Sequence, residues 1–313
     1  MIRFTMPGSS LSREEQAAEL NKQFDAFMRS DALGSICSLL GCDPDSLCAL
    51  FNARRTEDGR VIEEQAMKSR SDLGSLRHEL YPLLKELGAF DINEPLSDDC
   101  SRIIVLGGSL NACHVRAQSA PGLVNHNTLS VDGIACYRPV NPVERASSGF
   151  SSACETEFGV MAEALAAAFG LDPLKYEDDF EGDRNLNSVS CVRVFSDAPG
   201  GCMYRVFAAP STEPHQRRAD TFDSLAYYLK KQPLSDSDRL LFITSNRYCN
   251  RQFIQLASKM LSSGCRAGFD IIGCLKGPDI PSEDQYDPTF YVNDLIGTID
   301  WTRRFSSASV ISR

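Results

Sequence analysis

The stretch Ile103-Ile104-Val105-Leu106-Gly107-Gly108-Ser109 decides the fold class of this chain. Four consecutive large apolar residues, stopped by two glycines, predict a short strand that is buried on both faces. A strand without polar alternation is typical of a parallel sheet, whose two faces are covered by helices. The stretch therefore predicts the first strand of an α/β sheet.

The residues that follow repeat the order strand, turn, helix. Further strands are predicted at 133–137, 189–195, 203–208, 240–243 and 269–272, and helices at 153–169, 221–229 and 251–261. The strands 189–195 and 203–208 flank a Gly- and Pro-containing turn and can form a hairpin. The acidic stretch 171–186 is expected to be a solvated loop, with a cation site as the alternative. This alternation predicts a Rossmann-like α/β fold, a mostly parallel sheet with helices on both faces.

Residues from about 11 to 90 are expected to be helical throughout. Ser12 and Glu15 have the spacing of a capping box, and Leu20, Phe24 and Phe27 recur at helical spacing behind it. A last helix is predicted from about 61 to 87. The expected domains are therefore a helical N-terminal domain at 1–95 and a Rossmann-like ligand-binding domain at 96–313.

Composition excludes several classes of protein. The 313 residues carry 32 basic and 42 acidic side chains, a net charge of −10, and no segregated basic stretch, so nucleic acid is not an expected partner. No apolar run approaches the ~20 residues of a membrane helix, and the N-terminus has no secretory-signal pattern. The twelve cysteines include no C-x-x-C pair, which favours buried, reduced thiols and no metal site. We expect a cytoplasmic protein without a membrane partner; export without a cleaved signal stays open.

The ends of the predicted strands carry polar residues suited to a ligand. In open parallel sheets ligands bind beyond the carboxyl ends of the strands. Glycine amides there can cradle an anion, arginines can pair with phosphate or carboxylate, and hydroxyls can donate hydrogen bonds. The residues expected to contact the ligand are Gly107, Gly108, Ser109, Asn111, Arg138, Thr221, Thr244, Ser245, Tyr248 and Arg251. Glu157 and Asp220 are the catalytic candidates, able to hold a ribose-like diol, orient an arginine or act as a general base.

The absent motifs narrow the chemistry. The chain has no P-loop signature and no G-x-G-x-x-G after its first strand. The sequence from Gly107 to Asn111 departs from the nucleophile elbow at its last position. None of the four histidines directly follows a strand at this edge, which argues against a Ser-His-Asp triad; His114 and His126 remain acid–base alternatives.

The order of these motifs resembles the YdcF/SanA-like family, a bacterial domain of largely uncharacterised function. The matching elements are Val105-Leu106-Gly107-Gly108, Glu157 with Met161, Asp220-Thr221, and Thr244-Ser245 followed by Arg251. The resemblance covers about residues 101–275. It implies a nucleotide-like fold and, for one type of member, binding of S-adenosylmethionine; envelope-associated members carry membrane anchors.

Three positions depart from the family pattern. Tyr248 stands where the family has a histidine, Asp220 stands where it has an asparagine, and Arg116 is the candidate for an arginine found after the first strand. A phenol with a reference pKa near ~10 is a poor base at neutral pH.

Two classes of function follow from this sequence. The first is a transferase or hydrolase acting on a nucleotide-like substrate, with S-adenosylmethionine or a nucleotide as the expected ligand. The alternative is a non-catalytic ligand sensor or an interaction module, which could be an exported effector and would use the helical domain to contact a protein partner.

Overall fold

The computed structural model describes residues 1–51, 73–182, 187–196, 201–274 and 286–307, with the backbone alone at 48–51. The helices are α1 (Arg13–Met28), α2 (Asp31–Leu39), α3 (Pro44–Phe51), α4 (Arg77–Glu86), α5 (Leu110–Ser119), α6 (Pro142–Ser147), α7 (Glu157–Phe169), α8 (Thr221–Lys231), α9 (Cys249–Ser262) and α10 (Pro288–Ser307). The strands are β1 (Arg102–Leu106), β2 (Ser130–Cys136), β3 (Tyr176–Glu181), β4 (Ser190–Phe195), β5 (Met203–Ala209), β6 (Arg239–Thr244) and β7 (Gly268–Gly273).

The seven strands form one mostly parallel sheet. Their order is β3-β4-β5-β2-β1-β6-β7. Five neighbouring strands, β5, β2, β1, β6 and β7, are mutually parallel. β4 pairs antiparallel with both β3 and β5. The prediction of an α/β fold with a mostly parallel sheet is confirmed, and β4 and β5 are the antiparallel pair expected from the sequence.

Alternation along β2 shows how helices cover both faces of the sheet. A Cβ atom at Gly133 would lie 2.5 Å from Met161 Cγ on α7, so α7 sits directly on this face. The neighbouring residue Asp132 points to the opposite face, where Tyr228 of α8 donates to its Oδ2 at 2.8 Å. Gly133 is thus required for close helix–sheet packing.

A buried ionic cluster lies under α8. Arg205 on β5 donates to both carboxylate oxygens of Asp132, from Nε at 2.7 Å and from Nη2 at 3.0 Å. Ser130 Oγ and Tyr228 Oη also donate to Asp132 Oδ2, each at 2.8 Å. Asp132 is fully buried, and these partners satisfy the charge that burial would otherwise make unfavourable.

The chain divides into two compact units. The sheet unit contains Asn93–Ser245 and the described residues 265–274; the helical unit contains Met1–Ile92, Asn246–Gly264 and 286–307. The chain first passes from the helical unit to the sheet unit between Ile92 and Asn93, close to the predicted domain boundary near residue 95. The later segments that form α9 and α10 group with the N-terminal helices, whereas the sequence placed them with the sheet.

The helical unit is built around aromatic side chains. The capping box of Ser12 and Glu15 begins α1, as predicted. Behind it Phe24 is buried, and its ring lies 5.0 Å from Phe305 of α10 and 4.9 Å from Phe4.

Three predicted elements differ in the structure. Residues 176–181, expected within a solvated loop, form β3, because pairing with β4 satisfies one side of their backbone. The helix predicted from 153 begins at Glu157, with Thr156 as its N-cap. Helix α10 had not been predicted. Residues 61–72 of the helix predicted at 61–87, and most of the turn between β4 and β5, lie outside the described residues.

Candidate functional site

The strand order reverses between β1 and β6, and polar residues meet there. From β1 the chain moves to β2 on one side, whereas β6 pairs with β1 on the other side. Such a reversal opens a crevice at the carboxyl ends of the two strands. β1 ends in the turn formed by Gly107, Gly108 and Ser109, and β6 ends at Thr244 followed by Ser245.

Arg116 links the ends of β1 and β6. It projects from α5 and is 2% exposed. Its Nη1 donates to the carbonyl oxygens of Leu106 at 2.9 Å and Gly107 at 2.5 Å. Its Nη2 donates to Ser245 Oγ at 2.9 Å. Arg116 is therefore built into the switch point, a role that its position in α5 alone did not reveal.

Arg138 and Glu157 form a second buried contact at the same edge. Arg138 Nε lies 2.6 Å from Glu157 Oε2, and Arg138 Nη1 lies 2.9 Å from Glu144 Oε1. Arg138 Nη2 donates to the carbonyl oxygen of Gly108 at 2.5 Å. Arg138 therefore joins the end of β2, the start of α7 and the glycine turn; Glu144, which also follows β2, was not among the residues expected to contact the ligand.

The two glycines are needed to accommodate these charged side chains. A Cβ atom at Gly107 would overlap Glu157 Oε1 and lie 2.8 Å from the carbonyl oxygen of Ile134. A Cβ atom at Gly108 would lie 3.1 Å from Arg116 Nη1. The sequence assigned the glycines to close approach of a ligand, whereas the space beside their Cα atoms is occupied by Glu157 and Arg116.

The arginines also orient the backbone amides of the turn. In a trans peptide the N–H points away from the preceding carbonyl. Because the carbonyls of Gly107 and Gly108 face Arg116 and Arg138, the N–H groups of Gly108 and Ser109 point away from the guanidinium groups. Among the described residues, none accepts a hydrogen bond from the amides of 108, 109, 110 or 111. Ser109 Oγ caps α5 by accepting from Ala112 N at 3.3 Å.

The cysteines at this edge are protonated thiols at neutral pH. Burial and the nearby Glu157 carboxylate together raise the pKa of Cys136 to about 12, while Arg138 and Arg218 oppose this effect. Its Sγ donates to Glu157 Oε2 at 3.6 Å. Burial also raises the pKa of Cys113 to about 12. The eleven cysteines with described side chains are all free thiols.

Asp220 and Thr221 begin α8. Asp220 Oδ1 accepts from Phe222 N at 2.8 Å and from Asp223 N at 3.0 Å, and the Asp223 side chain accepts in return from Asp220 N at 3.1 Å. This capping box engages the Asp220 carboxylate with the first turn of the helix. Asp220 Oδ2 also lies 3.4 Å from Arg217 Nη1. The proposed catalytic role of Asp220 stays a prediction; its contacts are those of a helix cap and this ion pair.

The other predicted residues divide between the two units. Thr244 is buried at the end of β6, and its carbonyl accepts from Cys274 N at 2.8 Å. Tyr248 and Arg251 lie in the helical unit, where Arg251 Nη1 pairs with Asp294 Oδ1 at 3.0 Å. The Arg251 guanidinium also lies 4.9 Å from the Tyr248 ring centroid. Asn111 lies in the first turn of α5.

The fold and this edge define the class: a doubly wound α/β protein with a polar site at its topological switch point. Comparison with protein-family models, curated proteins and solved structures finds no match. Within the described ranges, no three His, Cys, Asp or Glu residues are grouped so that they could hold a metal ion. No helix in the same ranges is long and apolar enough to cross a membrane.

Proposed function

We propose that the sheet unit binds a small anionic or nucleotide-type ligand, such as a nucleotide or S-adenosylmethionine, at the carboxyl ends of β1, β2 and β6. The observation that carries the proposal is the orientation of the glycine turn. Two buried arginines hold its carbonyls and leave the successive amides from 108 to 111 without an acceptor among the described residues. Such amides at a helix N-terminus suit a phosphate or a carboxylate.

Arg138 and Arg116 donate to the carbonyl oxygens of the glycine turn, so in this proposal they orient the turn and do not contact the ligand. A candidate for direct charge pairing is Arg218, on the loop between β5 and α8. It is exposed, and it lies close enough to Cys136 to counteract the rise in the pKa of that thiol that burial and Glu157 produce. β5 pairs with β2 at this end of the sheet, with Ala209 opposite Cys136.

Glu157 supplies the carboxylate of the proposed site. Its two hydrogen bonds in the described structure, from Arg138 and Cys136, both go to Oε2, and Oε1 lies against the Cα atom of Gly107. A carboxylate held in this way can accept from a ligand hydroxyl or take a proton during group transfer or hydrolysis. Turnover of the ligand would distinguish an enzyme from a sensor that uses the same site.

A thermal-shift screen tests the proposal. The full chain is heated with S-adenosylmethionine, nucleotides and nucleotide sugars, with and without Mg²⁺. A ligand at ~100 times its Kd stabilises the folded state by ~2.7 kcal/mol, which is readily measured. The absence of a shift with every one of these ligands would contradict the proposal.

A matched pair of variants locates the binding site. Ser109 has φ −62°, a value that proline adopts. Ser109→Ala and Ser109→Pro both remove the capping hydroxyl, but only the proline variant removes an outward amide. We expect Ser109→Ala to keep ligand binding, and both Ser109→Pro and Arg218→Ala to weaken it. Equal binding by all three variants would exclude this edge as the site.

A further inference from the structure

Strand β3 exposes an unpaired backbone edge. It is the outermost strand on its side of the sheet, and among the described residues β4 is its one pairing partner. Ser196 N donates to the carbonyl of Lys175 at 3.0 Å, so the backbone of residue 175 faces β4. In an antiparallel ladder this direction alternates. The amides and carbonyls of Tyr176, Asp178 and Phe180 therefore point away from the sheet, and no described residue pairs with them.

One face of β3 is acidic. Glu177, Asp179 and Glu181 share this face because side chains alternate along a strand. Lys231 of α8 pairs with Glu181 at 2.7 Å and with Asp179 at 3.4 Å. One ammonium against three carboxylates leaves this face with a net charge of −2.

The opposite face of β3 carries two aromatic rings, of Tyr176 and Phe180, and has no net charge. Asp178 is neutralised by Arg193, whose Nε and Nη2 each donate to it at 2.7 Å. The Arg193 guanidinium also lies 3.5 Å from the centroid of the Tyr176 ring. Phe180 is 59% exposed and Tyr176 is 37% exposed. A strand added to this edge would have apolar side chains beside these two rings.

The charges decide which strand can be added. A second copy of β3 placed alongside would bring acidic side chains close to acidic side chains, which is destabilising. Charged residues on an edge strand are a known device against such self-pairing. A strand with basic residues on one face has the opposite preference.

We propose that the edge of β3 binds an extended peptide of a partner protein, in which basic and apolar residues alternate, as an eighth strand of the sheet. Its main chain pairs with Tyr176, Asp178 and Phe180, its basic residues lie opposite Glu177 and its neighbours, and its apolar residues contact the exposed rings. This surface is independent of the ligand site proposed above.

The test uses the full chain and a labelled eight-residue peptide that alternates lysine and valine, with binding followed by fluorescence anisotropy. One control peptide alternates glutamate and valine. A second alternates lysine and proline, so that it keeps the charge and loses every second amide. We expect the lysine–valine peptide to bind at least about tenfold more tightly than either control. Binding of the lysine–proline peptide with the same affinity would overturn strand addition, as would no binding of the lysine–valine peptide at about 1 mM.

A charge-reversal pair locates the surface. Glu177→Lys should weaken binding of the lysine–valine peptide about tenfold. Glu19→Lys makes the same charge change on α1, at a side chain that is about half exposed, and should leave binding unchanged. Equal effects of the two variants would overturn the proposal.

Amide hydrogen exchange gives a readout that does not depend on a variant. Bound peptide should protect the amides of Tyr176, Asp178 and Phe180, and binding without this protection would contradict pairing at the edge.

Discussion

Arg138 Nε lies 2.6 Å from Glu157 Oε2, and both side chains are more than nine-tenths buried. Removing Arg138 leaves the buried Glu157 carboxylate without its charged partner. We therefore expect Arg138→Ala to lower the free energy of unfolding by about 3–5 kcal/mol. The cycle uses the single variants Arg138→Met and Glu157→Gln and the double variant that combines them; the double variant should lose less stability than the sum of the two single losses. Urea denaturation of the two single variants and the double variant measures the coupling.

The control for this cycle is an exposed ion pair. Arg304 Nη2 lies 2.8 Å from Asp300 Oδ2, and both side chains are about half exposed. Solvent screens such a pair, so Arg304→Ala should leave the unfolding midpoint nearly unchanged. An equal loss in Arg138→Ala and Arg304→Ala would refute the structural role given to the buried pair.

Gly107→Ala should destabilise the sheet unit. The added Cβ atom would overlap Glu157 Oε1, and backbone at Ile134 prevents a simple shift. Overpacking of this kind costs about 1–3 kcal/mol. Gly122→Ala is the matched control, because a Cβ atom there has no neighbour within 4 Å. Thermal unfolding should separate the two variants, and identical midpoints would show that the turn is less tightly packed than described.

The cluster around Asp132 predicts a measurable contribution from one hydroxyl group. Tyr228 Oη donates to the fully buried Asp132, which also pairs with Arg205, and hydrogen bonds to charged groups contribute about 1.5–3 kcal/mol. Tyr228→Phe should therefore lower the free energy of unfolding by that amount without changing the denaturant slope. Stability equal to that of the unsubstituted chain would mean that Arg205 and Ser130 satisfy the carboxylate alone.

His114 predicts a dependence of stability on pH. It is 6% exposed, and its ring stacks on Phe150 with the centroids 4.6 Å apart. Burial lowers its pKa, and the carboxylate of Glu163 opposes this shift. The unfolded chain therefore takes up the proton first, near pH ~6.5. The stabilising contribution is complete above that pH and is lost as the pH falls towards the lower folded pKa.

Replacing the histidine tests this sign. His114→Gln should flatten the decline in the free energy of unfolding between about pH 7 and pH 5. His126→Gln alters an exposed ring and should keep the decline. A decline of unchanged slope in His114→Gln would assign the effect to other groups.

The strands that could be predicted from the sequence are those made of apolar residues. β1 and β6 are runs of large buried residues, and such runs indicate parallel strands directly. β3 carries no such signal, since it is an acidic and exposed edge strand whose pairing with β4 depends on tertiary structure.

Helix α10 could not be predicted from the sequence pattern for a different reason. Its buried side includes Thr298 and Thr302, whose hydroxyls donate to the carbonyls of Asp294 and Thr298 at 2.9 Å. These local hydrogen bonds allow the two threonines to be buried. Because threonine is polar, its presence on the buried side interrupts the apolar periodicity by which a helix is identified.

For the candidate site, the sequence indicated which residues would meet but not what each would contact. Gly107, Gly108, Arg138, Glu157 and Ser245 do come together at one edge. Spacing along the chain cannot show that both glycine carbonyls face arginines, because Arg138 follows β2, whose place beside β1 depends on tertiary structure. The sequence predicted anion contacts from both the glycine amides and the arginines; in the structure Arg138 is engaged by Glu157 and Gly108, and the amide of Gly107 donates to the carbonyl of Ile134 at 2.7 Å.

The helical unit combines the first helices of the chain with α10, and this has a consequence for synthesis on the ribosome. Ser306 of α10 donates to Asn21 of α1 at 2.9 Å across a separation of 285 residues. At a translation rate of about 5–20 residues per second, roughly 15–60 s pass between the synthesis of Asn21 and that of Ser306. Throughout that interval the nascent α1 lacks Phe305, the aromatic partner of Phe24. Chaperones and proteases would therefore meet the aromatic surface of α1 before α10 has been translated, even though every strand of the sheet precedes α10 in the chain.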